Sequence, residues 1–514
     1  MSATTRPALL ARIGSFTFHG DTRPVLRNVS LSAAPGRLTA VLGGSGSGKT
    51  TLGKLLAGWL RAGHAGSLSG SLELGAARLE FHGGADDPRI DPAAWSRRVG
   101  FVPQDAAAML SSVRSTVAEE LAFGLENRGV PREDMRRDVT RTAVLTGLDR
   151  FLDRDPSTLS GGELRRLAVA CAAITGPDVL VLDEPLASLD GAGASQVRDL
   201  IRGLLDAGTA VVLLSQAADG LAREASHWIV LDRHSGSGTV TASGPPAQVA
   251  GSAELDRAGV VLPDGPGFDG PGAAGHGVPG ARTALSGAPA ALELTGIGFR
   301  YGAANKRPST RPGEQVLRDL DLAVQPGEIV AVTGPNGTGK STLLRHFNGL
   351  LRPTSGDVLV GGTSIAGSPT GRVAASVGLL FQHPRDQLFE RTVLREVSFG
   401  IRRLIGAEAA GTRALEALAA VGLSGAAEAH PAELPASQQR LLALATVLAR
   451  EPSVLALDEP TVGLDRHGLE RLGQAVDAAT ARGAAVVLVT HDLAYARAHA
   501  HRILELDGGR LREV

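Results

Sequence analysis

The chain has 514 residues, of which 43% are apolar, and carries 52 basic and 53 acidic side chains. This length suits two to four domains of roughly 100 to 200 residues, and a net charge of −1 gives no overall attraction to nucleic acid. One cysteine, Cys171, excludes a disulfide framework and a cysteine-based metal cluster. Without a signal-like N-terminus or an apolar run of about 18 residues, we expect neither export nor a membrane span.

The first half of the chain alternates apolar, β-branched runs with helical patterns. An apolar run precedes the glycine-rich stretch Gly43–Thr50, which opens a helix-like segment. Further along, "ELRRLAVACAAI" from Glu163 has the spacing of a helix with one apolar face, while "VLVLDEP" from Val179 and "AVVLLSQ" from Ala210 are typical of buried strands. This alternation predicts a mostly parallel sheet flanked by helices.

The second half of the chain repeats these features in the same order. "VTGPNGTGKSTLLRHFNG" from Val332 matches "VLGGSGSGKTTLGKLLAG" from Val41. One constant spacing separates Leu159 from Leu434, Asp183 from Asp458 and Gln216 from His491. We therefore predict a duplicated domain, with copies at residues 1–250 and 291–514 and a flexible Gly/Pro-rich linker at 251–290.

Both copies contain the pattern G-x-x-x-x-G-K-[ST], which is typical of a phosphate-binding P-loop. Glycines let backbone N–H groups and a helix N-terminus approach phosphate oxygens, while Lys49 and Lys340 would reach the β- and γ-phosphates and Thr50 and Ser341 would ligate Mg²⁺. We therefore expect ATP and Mg²⁺ at two loops, which consist of Gly43, Gly44, Ser45, Gly46, Ser47, Gly48, Lys49, Thr50 and Thr51, and of Gly334, Pro335, Asn336, Gly337, Thr338, Gly339, Lys340, Ser341 and Thr342.

A pair of acidic residues follows a buried strand in each copy. Asp183 and Asp458 end apolar runs, which would place a carboxylate beside the phosphates for the metal ion. The adjacent Glu184 and Glu459 would then accept a proton from the attacking water. Either pair alone is compatible with a solvated turn, but the shared "LDEP" context favours the catalytic interpretation.

The segment "LSGGE" at Leu159–Glu163, between a P-loop and "VLDEP", resembles the signature of ABC-type ATPases. The resemblance covers essentially the whole chain outside the linker. It implies an α/β fold with two tandem P-loop nucleotide-binding domains, each with a RecA-like, mostly parallel core sheet, an antiparallel β subdomain and a helical signature subdomain. In that family two domains pair head to tail, so that each ATP lies between one P-loop and the other domain's signature; here the pair would form within one chain.

The resemblance also assigns roles to further residues. Ser160, Gly161, Gly162 and Glu163 would meet the nucleotide as the signature, Gln104 and Gln382 would contact the metal ion as Q-loop residues, and Asp190 and Asp465 match the D-loop. Phe18 and Tyr301 occupy the aromatic position that stacks on adenine. His491 matches the switch histidine, whose counterpart in the first copy is Gln216.

The two copies differ at the signature and at the switch position. In "LPASQ" at Leu434–Gln438, Pro435 removes a hydroxyl and an N–H, and Ala436 and Ser437 add Cβ atoms that restrict the backbone. Gln216 cannot become cationic as a histidine can. Head-to-tail pairing would bring both changes to one site, that of Lys49, Asp183, Glu184 and Gln216.

We therefore predict one hydrolytic site, formed by Lys340, Asp458, Glu459 and His491 with the intact signature, and one degenerate site. Neutral drift is the alternative explanation, because proline is well tolerated in the first turn of a helix. In that case Ser437 would partly replace the lost hydroxyl.

A narrower resemblance concerns the segment after the second Q-loop glutamine. "FQHPRDQLFERTVLREVSFG" at Phe381–Gly400 resembles the same region in ATPases of energy-coupling factor (ECF) transporters, and "STVAEELAFGLENRGVP" from Ser115 is a weaker match. It implies uptake of a vitamin or transition-metal ion, a membrane coupling (T-type) subunit, a substrate-binding (S-type) subunit, and a peripheral position at the cytoplasmic face of the cell membrane. Asp386, Glu390 and Glu396 are candidate contacts for the coupling helices.

Two other functions remain open. A soluble ABC ATPase acting on ribosomes or DNA is disfavoured, because the linker is not a charged helix, zinc-binding cysteines are missing and no sustained heptads occur; we expect no nucleic acid partner. The ATPase of a conventional importer or exporter would differ mainly in its partners. The cargo is chosen by another polypeptide.

Overall fold

The chain divides into two compact units, residues 1–263 and 264–514. A computed structural model describes residues 7–60, 65–84, 86–187, 189–234, 236–263, 289–302 and 315–514. Residues 264–288, which make up most of the predicted linker, lie outside the described residues. Among the described residues, no helix combines the length and apolar character needed to cross a lipid bilayer.

The described part of the first unit forms one mixed sheet. Its strands are β1 (Leu9–Phe18), β2 (Leu26–Ala33), β3 (Leu38–Leu42), β4 (Gly66–Leu74), β5 (Ala77–His82), β6 (Val99–Val102), β7 (Val179–Asp183), β8 (Ala210–Ser215), β9 (His227–His234) and β10 (Ser237–Gly244). They lie in the order β5-β4-β1-β2-β10-β9-β3-β8-β7-β6. Strands β5, β4, β1 and β2 pair antiparallel, whereas β9, β3, β8, β7 and β6 pair parallel.

Helices cover the parallel part of this sheet and build a separate small core beside it. They are α1 (Lys49–Leu56), α2 (Pro92–Ser96), α3 (Val117–Glu126), α4 (Arg132–Leu145), α5 (Gly161–Ala173), α6 (Gly191–Asp206), α7 (Gly220–Arg223), α8 (Pro246–Val249) and α9 (Ala253–Arg257). Val117, Val139 and Leu167 join α3, α4 and α5 in a helical subdomain. Every residue of β3, β7 and β8 is buried, as expected for parallel strands covered on both faces.

The second unit repeats this plan. Its strands are β11 (Leu292–Arg300), β12 (Gln315–Val324), β13 (Ile329–Thr333), β14 (Ser355–Val360), β15 (Thr363–Ser364), β16 (Val377–Leu380), β17 (Val454–Asp458), β18 (Ala485–Val489), β19 (Arg502–Asp507) and β20 (Arg510–Glu513). Among the described residues, one sheet has the order β12-β11-β14-β15 and is antiparallel; the other has the order β16-β17-β18-β13-β19-β20 and is parallel except for β20.

The helices of the second unit occupy equivalent places. They are α10 (Lys340–Phe347), α11 (Thr370–Val373), α12 (Val393–Phe399), α13 (Arg402–Ile405), α14 (Ala407–Ala420), α15 (Ala436–Leu448), α16 (Arg466–Ala481) and α17 (Leu493–His499). Residues of α12, α14 and α15 share one apolar cluster with β17 and β18. The predicted class, a mostly parallel core sheet with antiparallel strands and a helical subdomain in each copy, is confirmed.

The carboxyl ends of three core strands meet at one edge of each sheet. In the first unit Leu42 lies opposite Ser215, and Asp183 lies opposite Leu214. In the second unit Asp458 lies opposite Val489. This register brings the P-loop, the Asp–Glu pair and the switch position of one copy to the same edge, where ligands bind in open α/β sheets.

The segment 251–263 belongs to the first unit, so this unit extends past the predicted boundary at residue 250. Leu255 in α9 is fully buried in the core of the unit. The backbone N–H of Gly44 donates to the carbonyl of Ala258 at 2.6 Å, and the N–H of Val261 donates to the carbonyl of Gln216 at 2.8 Å. Backbone hydrogen bonds from this short segment therefore hold both the P-loop and the switch position in place, although a Gly/Pro-rich stretch follows it.

We expect Leu255→Ala to lower the free energy of unfolding by about 2 to 5 kcal/mol, because it leaves a cavity in a closed core. Urea unfolding of the full chain, followed by fluorescence and circular dichroism, measures this change. Arg257→Ala is the matched control on the same helix, since its side chain is 67% exposed. Equal stability of the two variants would show that α9 is not part of the cooperative unit.

Candidate functional site

The first P-loop connects β3 to α1 and depends on glycine at several positions. Gly46 and Gly48 have φ angles of 75° and 95°, which L side chains rarely adopt. A Cβ on Gly43 would lie 2.2 Å from the carbonyl oxygen of Leu231. The loop therefore follows a tight path that exposes backbone N–H groups at the N-terminus of α1, the arrangement that binds phosphate.

The P-loop lysines occupy the same place in both units. The Lys49 Nζ donates to the carbonyls of Gly43 and Gly44 at 2.6 and 2.8 Å. The Lys340 Nζ donates to the carbonyls of Gly334 and Pro335 at the same two distances. Each ammonium group is thus held inside its own loop, where it can meet the phosphates.

A hydroxyl and a carboxylate lie side by side next to each P-loop. Thr50 Oγ1 donates to Asp183 Oδ2 at 2.7 Å, and Ser341 lies close enough to Asp458 to favour the ionised form of its carboxyl group. Asp458 Oδ1 is buried without a hydrogen-bond partner among the described residues. Burial raises the pKa of both aspartates. Hard oxygen donors at these places fit Mg²⁺, which uses one or two protein ligands together with substrate phosphates.

Glu184 and Glu459 follow these aspartates in an uncommon backbone conformation. Their φ angles are 51° and 50°, in the left-handed region that costs a non-glycine residue about 1 to 2 kcal/mol. Their carboxylates accept hydrogen bonds from the backbone N–H groups of Gln216, at 2.7 Å, and His491, at 3.3 Å. Burial raises the pKa of each glutamate to about 7, a value suited to a general base.

The switch positions differ in what their side chains do. His491 Nε2 lies 3.0 Å from Glu459 Oε1. In the first unit, the amide oxygen of Gln216 is buried without a hydrogen-bond partner among the described residues. The backbone therefore holds the glutamate in both copies, whereas the imidazole adds a group that can share a proton with it.

The two signature helices begin differently. Ser160 caps α5 in a capping box with Glu163, in which Ser160 N donates to the Glu163 carboxylate at 2.8 Å. In the second unit Pro435 precedes α15 and makes no side-chain cap hydrogen bond. Ser437 is only 5% exposed, so its hydroxyl lies inside its own unit. This burial disfavours the idea that Ser437 substitutes for Ser160.

Gly161 is a glycine that the described fold does not itself require. A Cβ at Gly161 would meet no atom within 4 Å. Its conformation as the first residue of α5 is also open to L residues. The absence of a side chain therefore leaves the helix N-terminus open to an approaching group, as the predicted signature role demands.

The aromatic candidates are packed against neighbouring rings. Tyr301 is 8% exposed, and its hydroxyl lies 2.9 Å from Oγ1 of Thr342, the last residue of the second P-loop. Phe18 is partly buried and lies edge-to-face against Phe16 at 5.0 Å. Both lie at the end of their units' first strands, since Phe18 is the last residue of β1 and Tyr301 directly follows β11. Their stacking on adenine remains a prediction.

The three acidic candidates for partner contact have different environments. Glu396 is only 3% exposed and accepts hydrogen bonds from the N–H groups of Phe389 and Glu390 at 2.7 and 2.6 Å. It therefore holds the loop from inside and cannot reach a partner, contrary to the sequence-based expectation. Glu390 pairs with Arg395 at 3.1 Å, and Asp386 is exposed.

An exposed aromatic pair lies beside these residues. Phe389 and Phe399 are 66% and 54% exposed, and their rings pack edge-to-face at 4.9 Å. Two large apolar side chains that are both exposed and adjacent are typical of a protein contact surface. Sequence reasoning missed this pair, because nothing in the local pattern distinguishes it from a core cluster.

A buried arginine in each signature helix was also missed. Arg165 donates to the carbonyl of Glu184 at 2.6 Å, and Arg440 donates to the carbonyl of Glu459 at 2.7 Å. The signal that could have found them is their identical place in the two copies, where the neighbouring signature residues differ.

Comparisons with known proteins agree with this geometry. A family model described as ABC transporter matches residues 26–187 and 317–462, which include both P-loops and both Asp–Glu pairs. A Methanosarcina acetivorans protein named as an ABC transporter ATP-binding protein is 31% identical over 97% of this chain and 88% of its own length. A Streptomyces coelicolor protein with the same description is 33% identical over 97% of this chain and 92% of its own length.

A solved structure shows the tandem fold over nearly the full length. A model of ribosome-bound archaeal Pelota and ABCE1 covers 98% of this chain and 78% of that chain, with a TM-score of 0.67 and 19% identity. At this level of identity the likeness concerns the fold alone.

The buried glutamates predict how stability depends on pH. Because the folded-state pKa values of Glu184 and Glu459 are raised to about 7, the folded chain keeps protons that the unfolded chain has already released at lower pH. The contribution of these two glutamates to the free energy of unfolding should therefore fall as the pH rises from their pKa in the unfolded chain to their pKa in the folded chain. Urea unfolding without metal or nucleotide, at about pH 5 to 8, measures this dependence.

Glu459→Gln should flatten this decline, because it removes one of the two buried titrating groups. Glu416→Gln is the matched control, since Glu416 lies on the exposed face of α14. A pH dependence in Glu459→Gln as steep as in the wild type would contradict the raised pKa of Glu459.

Proposed function

Since this chain belongs to the ABC transporter family of ATP-binding proteins, we propose that the ATP it hydrolyses powers an importer of the ECF type. The cargo is a vitamin or a transition-metal ion, which crosses the membrane through a separate T-type coupling subunit and an S-type substrate-binding subunit. The chain then lies peripherally at the cytoplasmic face of the cell membrane. The observation that carries this proposal is the exposed Phe389–Phe399 pair, which lies in the segment that resembles ECF ATPases.

The residues at the carboxyl ends of the core strands have different roles in ATP hydrolysis. Lys340 and the N–H groups of its loop bind the β- and γ-phosphates, with Lys49 in the same role in the first unit. Mg²⁺, when bound, neutralises charge on the phosphates. In the first unit it would be held by Thr50, Asp183 and Gln104. In the second unit it would be held by Ser341, Asp458 and Gln382. Glu459 accepts the proton of the attacking water, and His491, whose Nε2 lies 3.0 Å from its carboxylate, can share that proton.

The two sites differ in catalytic power under this proposal. In this family two domains pair head to tail, and such pairing would bring Lys340, Glu459 and His491 to the signature at Ser160. This site has both the imidazole beside the glutamate and the capped, glycine-opened helix N-terminus. The other site combines Gln216 with the uncapped helix after Pro435, and it binds ATP but hydrolyses it slowly.

The exposed aromatic pair supports a partner that docks beside the second Q-loop. Phe389 follows the Q-loop segment, and Phe399 ends the adjacent helix α12. Glu396 fixes the backbone of this segment from beneath through two hydrogen bonds. The pair is thereby presented on a rigid support, which suits an apolar coupling helix of the T-type subunit.

A soluble ABC ATPase that acts on ribosomes is the second candidate. The fold likeness to a model of ribosome-bound archaeal Pelota and ABCE1 extends over 98% of this chain with a TM-score of 0.67, but at 19% identity it shows a shared architecture and not a shared role. Against it, relatives at 31% and 33% identity that match nearly their whole length are named as transporter ATP-binding proteins. Transport therefore remains the better proposal, and a conventional importer or exporter would differ from it in the membrane partner.

We expect Glu459→Gln to lower kcat for ATP hydrolysis about 100-fold or more, because it removes the proton acceptor of the competent site. Glu184→Gln should lower kcat only a few-fold, since its site contributes little turnover. Both rates are measured as phosphate release by the chain assembled with its membrane subunits. ATP binding by each variant is the control for folding. Near-equal losses in the two variants would reject the proposed asymmetry.

Transport itself is tested by uptake of radiolabelled vitamins and metal ions into cells. Lys340→Ala should abolish uptake of the native cargo, because the phosphates lose their main cationic contact. Arg137→Ala is the matched control, since its side chain on α4 is 69% exposed. Undiminished uptake in Lys340→Ala, or purification of the chain with ribosomes and without a multispanning partner, would contradict the transport proposal.

A further inference from the structure

Two buried arginines lie at equivalent positions of the signature helices. Arg165 in α5 is 9% exposed, and Arg440 in α15 is 8% exposed. The signature residues just before them differ between the copies, since "SGGE" at Ser160 corresponds to "PASQ" at Pro435. The arginine is the same in both, so it serves something that the divergence of the signature did not remove.

Each guanidinium group joins two backbone carbonyls of its own unit. Arg440 Nη1 donates to the carbonyl of Glu459 at 2.7 Å, and its Nη2 donates to that of Gln382 at 3.1 Å. Arg165 makes the same pair of bonds, to Glu184 at 2.6 Å and to Gln104 at 2.8 Å. The planar, forked donor set of arginine suits this bridge, which lysine cannot reproduce.

The bridged glutamate is held by hydrogen bonds to three different segments of its unit. The N–H of Glu459 donates to the carbonyl of Val489 in β18 at 2.9 Å, and its carboxylate accepts from the N–H of His491. The arginine bond to its carbonyl completes the set. A residue in the left-handed region keeps that conformation only when its surroundings impose it, so the arginine helps to determine where the carboxylate points.

A purely structural role does not account for the arginine. Burying a guanidinium group costs free energy that an apolar side chain of similar size avoids. The next residue in α5, Arg166, is also 9% exposed and bonds Thr146 and Gln196 rather than the carbonyls of Glu184 and Gln104. Its counterpart in α15 is the buried Leu441. A buried arginine on this helix can therefore be replaced by leucine at a position that does not bridge the glutamate and the Q-loop.

We propose that Arg440 is a positioning residue for ATP hydrolysis, which orients Glu459 and fixes the Q-loop residue Gln382, and that Arg165 does the same for Glu184 and Gln104. Because the guanidinium group is carried by the signature helix, a shift of that helix reaches the glutamate and the Q-loop together. The inference rests on the proposed function in one respect, namely that Glu459 accepts the proton from water.

The test uses the full chain with Arg440→Met and Arg440→Lys. Arg440→Met should lower kcat about tenfold or more with KM for ATP within about twofold, because the nucleotide contacts remain while the proton acceptor is misplaced. Arg440→Lys should have an intermediate kcat, since it keeps the charge and one bond. A kcat for Arg440→Met within about twofold of the wild type would overturn the proposal.

The double variant Arg440→Met/Glu459→Gln separates positioning from general destabilisation. If Arg440 acts through Glu459, the double variant should hydrolyse ATP no more slowly than Glu459→Gln alone. Losses that multiply would overturn the proposed role of Arg440 in orienting Glu459. Arg166→Met is the matched control, which should lower the melting temperature and leave kcat within about twofold; a loss of kcat in this control as large as in Arg440→Met would also overturn it.

The proposed function and this inference fail in different ways. If Glu459→Gln retains wild-type turnover, the assignment of the proton acceptor fails whatever Arg440 does. If Glu459→Gln is inactive and Arg440→Met is not, the positioning role fails alone. Neither readout depends on the identity of a membrane partner or cargo.

Discussion

The left-handed backbone at Glu184 and Glu459 is the constraint on which both sites depend. It turns the chain at the end of β7 or β17, so that the aspartate stays beside the P-loop while the glutamate carboxylate swings back to the end of the next strand. This conformation is unfavourable for glutamate. It persists because the neighbouring strand, the residue at the switch position and the arginine of the signature helix each form a hydrogen bond with the glutamate. The group proposed to accept the proton in each unit is therefore held in place by several neighbours.

Duplication let one scaffold carry two different sets of side chains. The parallel strands, the P-loop path and the arginine bridges agree between the units to within a few tenths of an ångström in their hydrogen bonds. What differs includes groups at the sites themselves, such as the Gln216 side chain and Pro435 at the start of a signature helix. Loss of such groups changes chemistry without disturbing a core, because the backbone that holds the glutamate is bonded independently of them.

The sequence alone determined the duplicated α/β plan and the composition of the phosphate-binding edge. Fully apolar strands, P-loop glycines and the Asp–Glu pairs are local patterns whose meaning does not depend on distant contacts, so the class of fold followed from them. The difference between "LSGGE" and "LPASQ" can likewise be read directly from the sequence. The structure agrees with it, because Pro435 forms no side-chain capping hydrogen bond at the start of α15. The proposed difference in turnover between the sites rests on that local chemistry together with the pairing of the family.

Only the tertiary structure decided which side chains are buried and what they touch. Glu396 is an acidic residue on a polar segment and looks exposed in sequence, but it lies inside and bonds two N–H groups of the preceding loop. Residues 253–263 border a Gly/Pro-rich stretch, yet Leu255 fills the first core and Ala258 bonds the P-loop. Arg165 and Arg440 look like ordinary helix arginines until the fold brings two carbonyls from distant segments to each. Burial and long-range hydrogen bonds arise from the packing of elements far apart in the chain, which no local pattern encodes.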